Sequence, residues 1–149
     1  MLQTGIVTNW IDFTREDEKT RDMTDPIRVL LADDHEAMRR AIRALLELEP
    51  MIRIVGEASN YGELLKRLRQ RKADVIVMDV HMPDAAEIDA HSVKRQLGGS
   101  CLIAVSFARD EETRLLAQSL GAFRLLDKID LGQTLVGAIE DCTRQTAGV

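Results

Sequence analysis

The decapeptide VIVMDVHMPD, residues 75–84, runs four apolar residues straight into a carboxylate, Asp79. A charge at the end of a buried segment is costly unless something pairs with it. Other polar residues share this placement after a short apolar run. Asp33 and Asp34 follow IRVLLA, Ser106 closes CLIAVS, and Lys128 stands two residues beyond FRLL. Three carboxylates gathered at one edge repel one another and drive one of them toward holding a proton. A divalent cation removes that conflict. Oxygen ligands without cysteine or paired histidine point to Mg²⁺ rather than zinc, and Lys128 adds a second positive charge. A carboxylate flanked by a metal, an ammonium and a hydroxyl suits phosphoryl transfer. Asp79 attacks phosphorus in line, Mg²⁺ and Lys128 neutralise the equatorial oxygens, and Ser106 donates a hydrogen bond to one of them. The product is an acyl phosphate. Taken singly, each residue has a plainer role: Asp33 and Asp34 as helix caps, Asp79 as a turn cap, Ser106 as a strand end, Lys128 as a surface lysine. The combination is what favours the chemical reading.

The elements that must position these residues alternate five times. The apolar runs are IRVLLA, IRIVGEA, DVIVMD, CLIAVS and FRLL. Between and after them lie stretches with helical spacing: Met38, Ile42 and Leu45; Tyr61, Leu64, Leu65 and Leu68; Ala86, Ala90, Val93 and Leu97; DEETRLLAQSL up to Gly121; and Leu131, Leu135, Ile139 and Cys142. Apolar runs without strict alternation suit strands covered on both faces. Alternating strands and helices imply a parallel sheet with right-handed crossovers. The predicted fold class is therefore α/β, a three-layer sandwich, with ligands at the carboxyl ends of the strands. Asn60 with Glu63, and Asp84 with Glu87, match capping boxes, so the third helix is predicted to start at Asp84. Asp130 and Gln133 open the last one.

With 149 residues, the chain has room for one domain with a substantial core. A net charge of −5 argues against a nucleic-acid surface, and no reading helix is evident. The basic group Lys66, Arg67, Arg69, Arg71 and Lys72 reads as a solvated helix end. Cys101 and Cys142 form neither a disulfide framework nor a zinc pattern; both read as small core residues in a reducing compartment. There is no membrane-length apolar run and no secretory signal, so the expected location is cytoplasmic, away from any membrane. Residues 1–26 read as a polar extension. Its IVTNWIDF segment carries the single Trp, and Met23 offers an alternative start. Residues 27–149 form the domain.

The stretches VLLADDHEAMRRAIRALLE, VIVMDVHMPD, AVSF and GAFRLLDK together resemble the response-regulator receiver domain, over about residues 27–145. The ADDH start is similar to the subfamily that usually carries a helix-turn-helix output domain, and none follows here. The resemblance implies strand order 2-1-3-4-5, the flavodoxin-like order that the general rule for such sheets illustrates with a member of this family. It also implies that Asp79 accepts a phosphoryl group from a histidine kinase or a histidine phosphotransfer protein. Asp34 and Asp79 would bind Mg²⁺, with Asp33 acting largely through water and the backbone carbonyl of His81 as a further ligand. Ser106 would move toward the phosphate, and slow self-dephosphorylation would be tuned at His81 and Ala108. A downstream protein, or a second copy in a homodimer, would dock on the face of the fourth helix, fifth strand and fifth helix, with no direct DNA contact.

Three departures from the family pattern stand out. Leu125 replaces the usual aromatic switch residue, Glu87 a usual glycine, and Ile129 the usual proline after Lys128, so the Lys128–Ile129 bond is expected to be trans. Leu125 and Glu87 motivate an alternative, a receiver that binds its partner without phosphorylation. A third reading, a metal-dependent phosphohydrolase using an aspartyl phosphate, typically needs Asp-x-Asp on the first strand, whereas Asp33 and Asp34 are adjacent. His35, His81 and His91 are read as solvent-facing, with no ligand role for their side chains.

Overall fold

The computed structural model describes residues 24–147. The leader with its Trp, the possible start at Met23 and the last two residues lie outside the described part. Five parallel strands, β1 (Ile27–Ala32), β2 (Ile52–Ala58), β3 (Val75–Asp79), β4 (Cys101–Ser106) and β5 (Arg124–Asp127), form one sheet in the order β2-β1-β3-β4-β5. The helices are α1 (Glu36–Glu47), α2 (Tyr61–Gln70), α3 (Ala90–Leu97), α4 (Glu111–Ser119) and α5 (Leu131–Ala147). Fold class and strand order agree with the sequence reading.

Side chains alternate across a strand, and here both sides are apolar because both are covered. Leu30, Ala32, Ile76, Met78, Leu102 and Ala104 pack with Tyr61, Leu64, Val93, Leu97 and Ala117 on the α2–α4 side. Val29, Leu31, Val75, Val77, Ile103 and Val105 pack with Ile42, Leu46, Leu135 and Ile139 on the α1–α5 side. The edge strand β2 carries an extra residue, Val55, where the β1 register steps from Val29–Ile54 to Leu30–Gly56. A Cβ at Gly56 would stand 2.8 Å from Leu30 Cδ1, so this close approach requires glycine. Gly121, at φ +82°, turns the chain out of α4 into β5. All peptide bonds among the described residues are trans, Lys128–Ile129 included.

Two expectations are corrected. The third helix does not start at Asp84. Residues Ala85–Glu87 form a single 3₁₀ turn, and α3 begins at Ala90 with Asp89 as its N-cap. The carboxylate of Asp84 is committed elsewhere: it accepts from the Tyr61 and Gly62 amides, at 2.9 and 3.1 Å, in the first turn of α2. Ala86 is accordingly exposed rather than part of an apolar stripe. The second correction concerns Cys101 and Cys142. Both do pack in the α1–α5 core, but their sulfur atoms are bonded to each other, with Cα atoms 6.0 Å apart. Periodicity within β4 and within α5 could not reveal that the two residues face one another across the core.

Candidate functional site

Parallel strands present their carboxyl ends along one edge, and the central strands bring the polar residues there. β1 runs into Asp33 and Asp34, β3 ends on Asp79, β4 on Ser106, and β5 leads into Lys128. Ala32 pairs with Met78, so Asp33 and Asp79 leave adjacent strands with the same parity. Lys128 opens a 3₁₀ turn, Lys128–Asp130, capped by the Asp127 carboxylate accepting from the Ile129 amide at 2.9 Å. This turn aims the lysine inward.

Lys128 Nζ lies 2.7 Å from Asp33 Oδ2 and 2.8 Å from Asp79 Oδ2. All three side chains are almost fully buried, at 1–5% exposure, so the contacts are weakly screened. Burial pulls the Lys128 ammonium toward giving up its proton. The hydrogen bonds and charges of Asp33 and Asp79 outweigh that and hold its pKa above the ordinary lysine value. Asp79 Oδ1 accepts from the His81 amide at 2.8 Å, and Asp33 Oδ1 from the His35 amide at 2.9 Å. One ligand atom from each of Asp33, Asp34, His35 and Asp79 falls within 4.8 Å of the others.

This set fits a hard divalent cation. Asp34 Oδ1 is buried and has no hydrogen-bond donor, which is costly for a carboxylate oxygen unless a cation meets it. The sequence assigns His35 no ligand role; its exposed ring places Nδ1 3.4 Å from Asp34 Oδ1. His81 and His91 are exposed, as expected.

Ser106 is buried, but its hydroxyl accepts from the Ala108 amide at 2.9 Å. Among the described residues, ion pairs join Asp33, Asp79 and Lys128 directly, and Ser106 lies beside them on the next strand. Asp79 pairs with Val105, so Ser106 lies one residue further along β4, at the same carboxyl edge. Phe107 follows, half-exposed, its ring centroid 5.3 Å from Lys128 Nζ, within cation–π range. Arg109 ion-pairs with Asp127 and ties the β4–α4 loop to the end of β5.

The loop after Asp79 has supports that sequence spacing did not reveal. The buried Tyr61 hydroxyl donates to the Val80 carbonyl at 2.9 Å. Burial, and then the Asp79 and Asp84 charges, push its pKa well above the usual phenol value. His81 Nε2 and Thr113 Oγ1 share a hydrogen bond at 2.7 Å. In the sequence Tyr61 reads only as part of an apolar helix face; the capping-type Asp84 beyond Met82-Pro83 is the one available signal for this linkage. Leu125 is partly buried against the α2–α4 core.

An acidic pocket with a buried lysine, at the carboxyl edge of a 2-1-3-4-5 sheet, defines a class of α/β signalling domain. The family model described as response regulator receiver domain matches residues 29–140. The chain is 35% identical over 117 residues to the DNA-binding transcriptional activator DevR/DosR of Mycobacterium tuberculosis, covering 77% of this chain and 54% of the relative. It is also 35% identical over 116 residues to a protein-glutamate methylesterase/protein-glutamine glutaminase of Koribacter versatilis, covering 75% of this chain and 31% of the relative. A two-component response regulator of the LuxR family from an Aurantimonas species superposes with a TM-score of 0.71 at 27% identity, over 81% of this chain and 87% of that one. The chain thus belongs to the response regulator receiver domain family and to two-component signalling. It spans about half the length, or less, of the curated relatives it matches. Receiver domains generally bind Mg²⁺ at an acidic pocket such as this.

Proposed function

We propose that the chain is a phosphoacceptor, taking a phosphoryl group onto Asp79 from the phosphohistidine of a histidine kinase or a histidine phosphotransfer protein. The carrying observation is the buried Lys128 ammonium held between Asp33 and Asp79, in a chain that matches the receiver family over residues 29–140. A carboxylate oxygen of Asp79 forms the new P–O bond while the P–N bond to the donor imidazole breaks, and the imidazole leaves with the electron pair. Lys128 neutralises charge growing on the phosphoryl oxygens. Ser106 turns its hydroxyl from the Ala108 amide toward one of those oxygens. Asp33, Asp34, Asp79 and the His81 carbonyl would hold Mg²⁺, which, when bound, supplies further neutralisation of the same oxygens. The His81 and Ala108 positions set a slow return by hydrolysis. The signal passes through the α4–β5–α5 face to a downstream protein or a second copy, in the cytoplasm, without direct DNA contact.

A second reading, partner binding without phosphorylation, is favoured by one observation: Leu125, partly buried against the α2–α4 core, offers no aromatic ring to rotate inward. Incubation with Mg²⁺ and acetyl phosphate, read by intact mass, decides between them. The expected result is a gain of one phosphoryl group by the wild type and none by Asp79→Asn. No gain by the wild type, with partner affinity unchanged in Asp79→Asn, selects the second reading.

A further inference from the structure

The bond between Cys101 and Cys142 joins the first residue of β4 to α5 across a sequence separation of 41. The loop it closes contains Ser106, Phe107 and Lys128, all of α4 and β5, and most of α5. Cys142 is fully buried, while Cys101 at the strand's start is partly exposed. Cys142 stands within two turns of the helix end at Ala147, and helix ends open locally more readily than the core. Cys101 is therefore the more accessible residue of the two, and Cys142 is uncovered by fraying the last turns of a single helix.

We propose that Cys101 and Cys142 are a reversible redox couple that fastens the C-terminal helix to the sheet. The couple does not depend on whether Asp79 takes phosphate. Oxidation runs by exchange with a low-molecular-weight disulfide such as glutathione disulfide. The Cys101 thiolate attacks, a mixed disulfide forms and one glutathione thiol leaves. The Cys142 thiolate then displaces the second glutathione thiol. In sum, two protein thiols lose two electrons and two protons, and one glutathione disulfide becomes two thiols. Excess reduced glutathione reverses both steps, with entry at Cys101. The oxidised form restricts the unfolded chain by a loop of 41 residues and holds α5 against β4. The reduced form keeps two small apolar side chains in the same core, so the fold persists while the last turns of α5 open more often.

The test uses the full chain, equilibrated in glutathione buffers of graded oxidised-to-reduced ratio, quenched with N-ethylmaleimide and weighed intact. The expected outcome is no adduct at the oxidising end and two at the reducing end. Circular dichroism stays native throughout, and amide exchange in residues 138–147 is faster in the reduced form. The oxidised form should melt higher by on the order of 10 °C. Two adducts at every ratio would show that the thiols do not pair and would overturn the proposal. So would a bond that resists reduction until the protein unfolds, because that bond is a permanent staple. Cys101→Ala and Cys142→Ala are each expected to melt like the reduced form. If the variant that folds, or either where both do, melts like the oxidised form, the fastening role is lost.

Discussion

Lys128 is where the electrostatics of this site are concentrated. It is the cation held in contact with both Asp33 and Asp79, and its own burial would favour neutrality if they were absent. Removing one partner of a buried ion pair leaves the other charge uncompensated, so Lys128→Met is expected to cost about 3–5 kcal/mol in urea unfolding at neutral pH. Mg²⁺ should return part of that loss by meeting the same carboxylates. The pH dependence has a definite sign. The folded-state pKa of Lys128 is raised, so its contribution is fully present below the unfolded-lysine value of about 10.4. It is lost as pH rises through the higher folded value. Wild-type stability should therefore fall through that alkaline window, and the Lys128→Met profile should be flatter there. Equal slopes for the two proteins would contradict the assignment. Asp33, Asp34, Asp79 and Lys128 were legible in sequence because each is a polar residue at the end of a run built for burial. His35, Phe107 and Thr113 were not, since their contacts depend on loop paths that no periodicity encodes.

The element scale shows how one carboxylate can be claimed by either of two helices. Asp84 and Glu87 carry the spacing of a capping box for their own segment, yet Asp84 binds the Tyr61 and Gly62 amides opening α2. Asn60 caps that same helix by accepting from the Glu63 amide at 2.8 Å, while Glu63 reaches back to the Ser59 amide rather than that of Asn60. The first turn of α2 thus draws on three side chains, one of them from the loop just after Asp79. With its donors so well met, Asp84→Ala is expected to destabilise by about 0.5–2 kcal/mol, the usual value of a cap, whereas Glu87→Ala, exposed and uninvolved in a cap, should stay within about 0.5 kcal/mol. Amide exchange adds a second reading: the Tyr61 and Gly62 amides should lose protection in Asp84→Ala alone. The start and stop of α2 and α4 were legible because their signals act locally. The start of α3 was not, because a tertiary partner outcompeted the local one, and the Cys101–Cys142 pairing was hidden because no local spacing encodes a contact between separate elements.

At the scale of the whole molecule, the sheet order gathers more negative charge at one edge than the fold itself can neutralise. Asp79 illustrates the balance. Its attraction to Lys128 at 2.8 Å is worth about 6 kcal/mol at an effective dielectric constant near 20. Its repulsions from Asp33 and Asp34, with ligand atoms within 4.8 Å, together come to about 7 kcal/mol or more on the same footing. Desolvation of the buried carboxylate adds to the unfavourable side. Attraction and repulsion at Asp79 are therefore of similar size, and the desolvation of its carboxylate is what a bound cation would offset. Asp79→Asn should accordingly melt a few degrees above the wild type in the presence of a chelator. Mg²⁺ should reverse the order, because a ligand that binds only the folded state stabilises it by about 2.7 kcal/mol at a hundred times its Kd, and the asparagine variant offers the ion one carboxylate fewer. Thermal melts of both proteins, with chelator and across a Mg²⁺ titration, read this as a crossing of two curves. If the wild type melts higher without metal, the attraction to Lys128 dominates the pocket after all. If the curves run parallel through the titration, the ion does not bind at Asp79.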